Sequence, residues 1–224
     1  GKDVIDLSLG EPDFDTPVHI KEAAKKALDD GYTKYTPVNG LLELRQAIVN
    51  KLARENDLHY TVNQIVVSNG AKQSVYNLCM ALLDPGDEVI LPAPYWVSYA
   101  EIVKMAGGVP VIANSSIEQD FKSTPEEIEA LITDRTKFIL YSSPCNPSGS
   151  VFSFEELQAL ALMLQAHEHV LVVSDEIYEH INFTDRHYTI ASMEGMKDRT
   201  VIINGMSKGY AMTGWRLGYI AGPD

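Results

Sequence analysis

The 224-residue sequence lacks most marks of a secreted, membrane-bound or metal-binding protein. Its two cysteines, Cys79 and Cys145, are far apart and form no Cys-x-x-Cys pair, so neither a disulfide framework nor a zinc cluster is indicated. Every apolar run is too short to cross a bilayer, and residues 1–6 lack the apolar core of a signal peptide. We therefore expect a soluble, cytoplasmic protein without a membrane partner.

Positive charge is also scarce. The chain has 18 lysines and arginines against 31 aspartates and glutamates, which gives a formal net charge of -13 at pH 7. General binding to nucleic acid depends on many cationic contacts with phosphate, so this charge argues against a nucleic-acid partner. A phosphate group could still be bound at a local site.

The residues that are present favour a folded α/β domain. Hydrophobic residues make up 45% of the chain, enough for a substantial core, and we find no repeat or low-complexity tract. Segments of helical period alternate with short apolar runs at 65–67, 88–91, 110–113, 138–141, 170–173, 201–203 and 217–221. Because strands that are apolar throughout are typical of covered parallel sheets, we predict one domain with a mostly parallel seven-stranded sheet and helices on both faces.

Helix signals lie between the predicted strands. Thr16-Pro17 opens the first predicted helix, with the threonine as cap and the proline in the first turn, and its apolar stripe includes Ile20, Ala24 and Leu28. Two further predicted helices have apolar stripes that begin at Leu41 and Val75. Capping boxes at residues 124–127 and 153–156 predict the starts of two more helices.

The carboxyl ends of parallel strands are where ligands collect in such sheets, and polar residues follow several of the predicted strands. After the run 65–67 comes the segment 68–74, in which Gly70 and its small neighbours would let backbone amides approach an anion at a helix N-terminus. The alternative is an ordinary strand-to-helix turn that contains glycine. The segment is not a Walker A loop, because the Gly-x-x-x-x-Gly-Lys-[Ser/Thr] spacing is absent.

Two candidate catalytic residues follow later strands. Lys208, close to Ser207 and Arg216, suits the formation of an imine with an aldehyde beside a bound phosphate, and the alternative is a solvated surface charge. Asp175 suits a partner for a protonated ring nitrogen, because an opposite charge favours the protonated form. It also resembles a Walker B carboxylate, but an ATPase would need the phosphate loop that the sequence lacks.

Other polar groups are weaker candidates. Prolines flank Asn146 and would fix a turn that aims its amide, although a loop without further role is the alternative. The segment 167–169, His-Glu-His, lacks the spacing of a helical zinc site, and Asp13 and Asp15 have too few companions to propose a metal. We therefore predict no metal site.

An ordered set of motifs resembles the class I aminotransferases, which are fold-type I pyridoxal-phosphate enzymes, over nearly the whole chain. The motifs are Ser8-Leu9-Gly10-Glu11-Pro12-Asp13-Phe14, Tyr35-Thr36-Pro37-Val38-Asn39-Gly40, Pro94-Tyr95-Trp96, Asn146-Pro147-Ser148-Gly149, Ser174-Asp175-Glu176-Ile177-Tyr178 and residues 207–216. The likeness is greatest to the bacterial aspartate aminotransferase branch. It implies the large cofactor domain of that fold, with an antiparallel last strand, and pyridoxal 5'-phosphate as the cofactor.

The resemblance also implies roles around the cofactor ring. Lys208 would hold the cofactor aldehyde as an imine and later move a proton between the substrate α carbon and the cofactor. Asp175 would pair with the ring nitrogen, while Asn146 and Tyr178 would hydrogen-bond the phenolic oxygen and Trp96 would stack on the ring. The catalytic residues implied are Lys208, Asp175 and Tyr178.

The phosphate and the substrate have their own implied residues. The expected phosphate ligands are Ser207, Arg216 and the backbone amides of Gly70, Ala71 and Lys72. Tyr35 is expected to reach the phosphate of a neighbouring subunit, which implies a homodimer with shared active sites. Gly10, Trp96, Asn146 and Lys72 are expected on the substrate side.

The implied reaction moves the amino group of an amino acid to a 2-oxo acid. Aspartate and glutamate are favoured, because in the related bacterial branch a lysine at the position of Lys72 is associated with acidic substrates; its alternative is a plain charge on the first helical turn. Two other functions stay open: a pyridoxal-phosphate lyase or synthase of the same fold, and a catalytically silent scaffold.

Family members continue into a small domain that supplies an arginine for the substrate α-carboxylate. No residue here matches it, so we expect residues 1–224 to be the cofactor domain, inactive in isolation.

Overall fold

A computed structural model describes residues 4–5, 10–184 and 186–223; Ser8 and Leu9 of the first motif lie outside the described residues. Within the described residues the sheet has seven strands, in the spatial order β1-β7-β6-β5-β4-β2-β3. The strands are β1 (Ile65–Ser68), β2 (Glu88–Pro92), β3 (Val109–Ala113), β4 (Thr136–Ser142), β5 (Leu171–Asp175), β6 (Thr200–Gly205) and β7 (Gly218–Ala221). Every predicted apolar run therefore forms a strand.

The strand directions confirm a mostly parallel sheet. β3, β2, β4, β5 and β6 are parallel neighbours, whereas β7 lies antiparallel between β6 and β1. Asp175 pairs in register with Ser142 of β4 and Ile203 of β6, while Gly218 pairs with Gly205 and Ser68. The antiparallel last strand that the resemblance implies is confirmed.

Helices cover both faces of the sheet. The described α-helices are α1 (Val18–Asp29), α2 (Leu42–Asn56), α3 (Ala71–Leu82), α4 (Ser98–Met105), α5 (Pro125–Glu129) and α6 (Phe154–Leu164). Single 3₁₀ turns occur at Val62–Gln64, Ile117–Gln119, Ile190–Ser192, Lys197–Arg199 and Thr213–Trp215. The sequence patterns did not predict α4 or these turns. None of the described helices combines the length and the apolar character that a membrane crossing requires.

Alternation along the strands divides the core between the two faces. On β2, Val89 and Leu91 pack with α3 and α4, whereas Ile90 packs on the opposite face with α5 and α6. On β6, Ile202 packs with α2, and its neighbours Val201 and Ile203 point toward α3. Strands buried on both faces have no polar face, which is why they read as continuous apolar runs.

Both predicted capping boxes are present. The Ser153 hydroxyl accepts the Glu156 amide at 3.2 Å, and the Glu156 carboxylate accepts the Ser153 amide at 2.7 Å. Thr124 and Glu127 make the same reciprocal pair at 3.3 and 2.8 Å. These bonds satisfy amides that the first turns of α6 and α5 would otherwise leave without acceptors.

The prediction that Thr16 caps the first helix is wrong. Pro17 occupies the cap position of α1 and makes no side-chain cap bond. The Thr16 hydroxyl instead donates to the carbonyl of Ala211 at 2.5 Å and accepts the indole N–H of Trp215 at 3.1 Å. The Thr16 hydroxyl therefore makes long-range contacts instead of the helix cap that the local pattern predicted.

Candidate active site

The sheet topology brings the predicted site residues to one edge. Because β7 is antiparallel to both neighbours, β1 runs parallel to β6, and the carboxyl ends of β1, β4, β5 and β6 meet at this edge. Gly70, Asn146, Asp175 and Lys208 lie at or just after those strand ends, and Arg216 lies just before β7, which begins there.

Lys208 is half-buried in the loop after β6. Its ammonium donates to the carbonyl of Gly10 and lies 5.6 Å from the centre of the Tyr178 ring. Burial lowers the pKa of Lys208, and the positive charge of Arg216 adds to this effect, although the Glu11 carboxylate opposes it. A lower pKa increases the fraction of neutral amine, which is the form that attacks an aldehyde.

Asp175 is buried at the end of β5, with 5% of its surface exposed. One carboxylate oxygen accepts the Tyr99 hydroxyl at 2.6 Å, and the other accepts the Ile177 amide at 3.2 Å. Burial raises the pKa of Asp175 to about 6, although both hydrogen bonds oppose that shift. A buried carboxylate without a counter-ion is unfavourable, so this position favours a cationic ligand group beside it.

Tyr99 contacts the candidate site through Asp175 and was not predicted. It lies on α4, 76 residues from Asp175, and only the packing of α4 on the sheet brings the two together. The sequence shows it three positions after Trp96, a spacing that indicates no more than a shared helix face.

Asn146 and Tyr178 form a second polar pair. The Asn146 amide donates to the Tyr178 hydroxyl at 3.3 Å. Burial raises the pKa of Tyr178 more than the Asn146 bond lowers it, so the phenol keeps its proton at neutral pH. A Cβ atom built on Gly10 would lie 3.9 Å from the Tyr178 hydroxyl and 4.0 Å from the Lys208 nitrogen. These residues therefore share one small region above the strand ends.

The start of α3 and the Arg216 side chain form a cationic cradle. Gly70 has φ +87°, which glycine adopts without strain, and any side chain there would collide with the Arg216 guanidinium. The Gly70 amide donates to the carbonyl of Ser68 at 2.9 Å. The Gly70 amide is therefore already bonded. The other two predicted amide ligands, those of Ala71 and Lys72, lie in the first turn of α3 and have no acceptor within the helix.

The loops around β6 and β7 hold Arg216 and the predicted phosphate ligand Ser207. Arg216 has φ +57°, a left-handed conformation that is uncommon for arginine, and its guanidinium donates to the Thr213 carbonyl at 2.8 Å. Ser207 is buried, and its carbonyl accepts the Met212 amide at 3.1 Å. A helix N-terminus beside a guanidinium is suited to a phosphate.

The remaining predicted residues lie on the rim or farther out. Trp96 is half-buried, with its ring edge-on to Tyr99 at 5.5 Å between centres, and the exposed Lys72 ammonium lies 4.8 Å from the Trp96 ring centre. Tyr35 is fully exposed, and its predicted role concerns a neighbouring subunit.

A buried polar network, also unpredicted, lies directly behind Asp175. Glu176 is 1% exposed, and its carboxylate accepts hydroxyl hydrogens from Ser174 and Thr189 at 2.9 and 2.5 Å. The other carboxylate oxygen lies 3.0 Å from Nε2 of His187. These contacts tie residues 187–189 to the end of β5.

Comparison with known proteins identifies relatives over the full chain. The family described as "Aminotransferase class I and II" matches residues 2–224. The "Aspartate/prephenate aminotransferase" of Nitrosomonas europaea is 52% identical over 225 residues, which cover 100% of this chain and 57% of that protein. The chain therefore spans little more than half the length of this curated relative.

Solved structures give the same result. The structure of "the aspartate aminotranferase from Rhizobium meliloti" superposes with a TM-score of 0.95 and 49% identity, covering 97% of this chain and 55% of that one. An aspartate aminotransferase "from Thermus thermophilus with maleate" has a TM-score of 0.93 and 48% identity, covering 97% of this chain and 56% of that one.

Proposed function

The chain belongs to the class I and II aminotransferase family, and we propose that it acts as a pyridoxal-phosphate-dependent aminotransferase on acidic amino acids. Members of this family use pyridoxal 5'-phosphate. The observation that carries the proposal is the convergence of Lys208, Asp175 and the Gly70–Arg216 cradle at one sheet edge. An amine, a carboxylate and a phosphate cradle are the three groups that this cofactor requires.

The residues present fit the cofactor. The cradle offers first-turn amides and a guanidinium to a phosphate, and a side chain at Gly70 would fill it. The buried Asp175 carboxylate suits the protonated ring nitrogen, since burial without a cation raises its pKa to about 6. Asn146 and Tyr178 together supply donors for the phenolic oxygen, and Trp96 supplies a ring for stacking.

The protein's own groups then have distinct tasks. When bound, the cofactor supplies an aldehyde that captures the substrate amine and a ring that withdraws electrons. Lys208, whose pKa is lowered by burial, would take the proton from the substrate α carbon in its neutral form and pass it on to the cofactor. Asp175 holds the proton on the ring nitrogen, and Tyr178 donates to the phenolic oxygen because its own pKa is raised by burial.

The substrate class rests on Lys72 and on the relatives. The exposed Lys72 ammonium lies 4.8 Å from the centre of the Trp96 ring, and we propose that it pairs there with the distal carboxylate of aspartate or glutamate. Aspartate and maleate, which appear in the names of the relatives, each carry two carboxylates. We propose amino acids with a second carboxylate as donors and 2-oxo acids as acceptors.

The wider setting is part of the same proposal. We propose that residues 1–224 form the cofactor-binding domain. We propose that the protein is a homodimer, in which Tyr35 reaches the phosphate of the partner subunit. We also propose a cytoplasmic location. The family match, the relatives' length and the full exposure of Tyr35 support the first two points. The charge of -13 supports the absence of a nucleic-acid partner.

Cofactor binding is tested by the absorbance of the full-length protein after addition of pyridoxal phosphate. We expect a band in the violet that disappears in Lys208→Ala. The matched control Lys104→Ala changes an exposed lysine paired with Glu101 on α4 and should leave the band intact. A wild-type protein without the band would overturn the proposal.

A half-reaction assay distinguishes transamination from the lyase alternative. With aspartate as the only substrate, we expect oxaloacetate and pyridoxamine phosphate in equal amounts. Release of pyruvate and ammonia from a β-substituted amino acid, without pyridoxamine phosphate, would instead establish elimination chemistry.

A further inference from the structure

Tyr99 is a core residue whose hydroxyl makes a specific polar contact. Its side chain is 1% exposed, and its ring packs with the apolar residues of α3, α4 and the sheet. Its hydroxyl nevertheless reaches Asp175, to which it donates a hydrogen bond of 2.6 Å. Burial and the Asp175 charge raise the pKa of Tyr99 well above its ordinary value, so the phenol remains a donor at every pH of interest.

The contact constrains both oxygens of the carboxylate. Tyr99 holds one oxygen, while the Ile177 amide, which belongs to the same loop as Asp175, holds the other at 3.2 Å. A carboxylate held at both oxygens cannot rotate freely, and donors to the charged form favour ionisation in a buried setting. Of these two donors, only the Tyr99 hydroxyl comes from a different secondary-structure element.

We propose that Tyr99 is a positioning residue: its hydroxyl keeps the Asp175 carboxylate ionised and fixed in rotation, so that this carboxylate pairs with the protonated ring nitrogen of the cofactor. The inference rests on the proposed function. It assigns to Tyr99 an effect that acts on the ring nitrogen alone and not on the phosphate or the aldehyde.

A packing role is the competing explanation. The Tyr99 ring lies edge-on to Trp96, so removing the whole ring would also disturb a residue proposed to stack on the cofactor. The substitution Tyr99→Phe keeps the ring and removes only the hydroxyl. The matched control is Tyr141→Phe, because Tyr141 is also buried, and its hydroxyl lies 3.2 Å from the Ser174 hydroxyl on the opposite face of the sheet.

The experiment measures the dissociation constants of two ligands for the apo form of the full-length protein. One is pyridoxal phosphate, and the other is its carbocyclic analogue, in which a CH group replaces the ring nitrogen. For Tyr99→Phe we expect about tenfold weaker binding of pyridoxal phosphate, the size expected for one hydrogen bond to a charged group, and unchanged binding of the analogue. Tyr141→Phe should bind both ligands like the wild type.

Each other outcome is decisive. Equal weakening of both ligands would show that Tyr99 acts by packing, and unchanged binding of both would show that its hydroxyl has no role; either result overturns the inference. Failure of the wild type to bind pyridoxal phosphate would overturn the proposed function, and the inference with it. Thermal unfolding of the apo proteins checks that Tyr99→Phe is folded, and Tyr99→His, which restores a donor, should recover part of the affinity.

Discussion

At the scale of single residues, stability and the proposed chemistry make opposite demands on Asp175. A carboxyl group in the unfolded chain titrates near pH 3.9, but burial raises the pKa of Asp175 to about 6 in the folded apo protein. The folded state therefore binds more protons between these values, and stability falls as pH rises through this window. Above about pH 6 the whole cost of the buried charge is present.

We predict that Asp175→Asn stabilises the apo protein. The free energy of unfolding at pH 8 should rise by on the order of 1–3 kcal/mol, because the substitution removes the buried charge, and the gain should shrink at pH 5. Urea unfolding at the two pH values measures this difference. Asp134→Asn, at an exposed position, should leave the pH dependence unchanged. A loss of stability at pH 8 would show that Asp175 is structurally required.

Lys72 gives a prediction about specificity. Lys72→Met keeps an unbranched side chain of nearly the same length beside Trp96 but removes the charge. We predict that kcat/KM for aspartate falls by about two- to fivefold, as expected for the loss of an exposed ion pair, while alanine is affected little. The ratio of the two kcat/KM values is the measurement. Equal losses for both substrates would favour the alternative of a plain charge on the helix.

At the scale of elements, the buried network around Glu176 attaches residues 187–189 to β5. Burial alone would lower the pKa of His187, but the charge of Glu176 and the hydrogen bond to it outweigh burial and raise the pKa. Glu179 acts in the same direction and Lys51 opposes it. The pair therefore stabilises fully below about pH 6.5, the ordinary histidine value, and this contribution is lost as pH rises through the raised value.

We predict that His187→Gln destabilises the protein more at pH 6 than at pH 9. The expected loss at pH 6 is about 1–3 kcal/mol, because a buried carboxylate loses a charged hydrogen-bond donor. Urea unfolding at both pH values tests this. His167→Gln removes a histidine whose partner Glu129 is half exposed, and it should change stability little. Equal losses of stability at both pH values would exclude a charged histidine.

The capping boxes provide a second prediction at this scale. Ser153→Ala removes the acceptor for the Glu156 amide at the start of α6 and should lower the free energy of unfolding by about 1 kcal/mol. Ser153→Asp retains an acceptor and should remain close to the wild type. The midpoints of urea unfolding compare the three proteins. A Ser153→Asp variant as unstable as Ser153→Ala would contradict a capping role.

At the scale of the whole molecule, we propose that the site is shared between two subunits. Tyr35 is fully exposed in the single chain, whereas Lys208 is half-buried at the sheet edge. If Tyr35 serves the partner's site, a mixed dimer of Tyr35→Ala and Lys208→Ala subunits contains one site in which both residues are intact. Neither parent dimer contains such a site.

We therefore predict complementation. Random re-association of equal amounts of the two full-length variants should restore about a quarter of the wild-type activity, since half of the dimers are mixed and one of their two sites is complete. Activity before and after mixing under exchange conditions is the measurement. An activity no higher than the average of the two parents would place Tyr35 outside the partner's site.

The sequence by itself determined the features that depend on local interactions. Continuous apolar runs predicted the strands, because strands buried on both faces cannot carry a polar side, and the box at Ser153 predicted the start of α6 within its own turn. The positions of Lys208 and Asp175 at strand ends were likewise readable, because they depend only on where an apolar run stops.

Only the tertiary structure decided which distant groups meet. The Thr16 hydroxyl had a local use as a helix cap, but contacts with Ala211 and Trp215 took it. Tyr99 could be assigned to a helix face, but its bond to Asp175 depends on how α4 packs across the sheet. Hydrogen bonds between residues far apart in the chain depend on the packing of whole elements, and no local pattern encodes that packing.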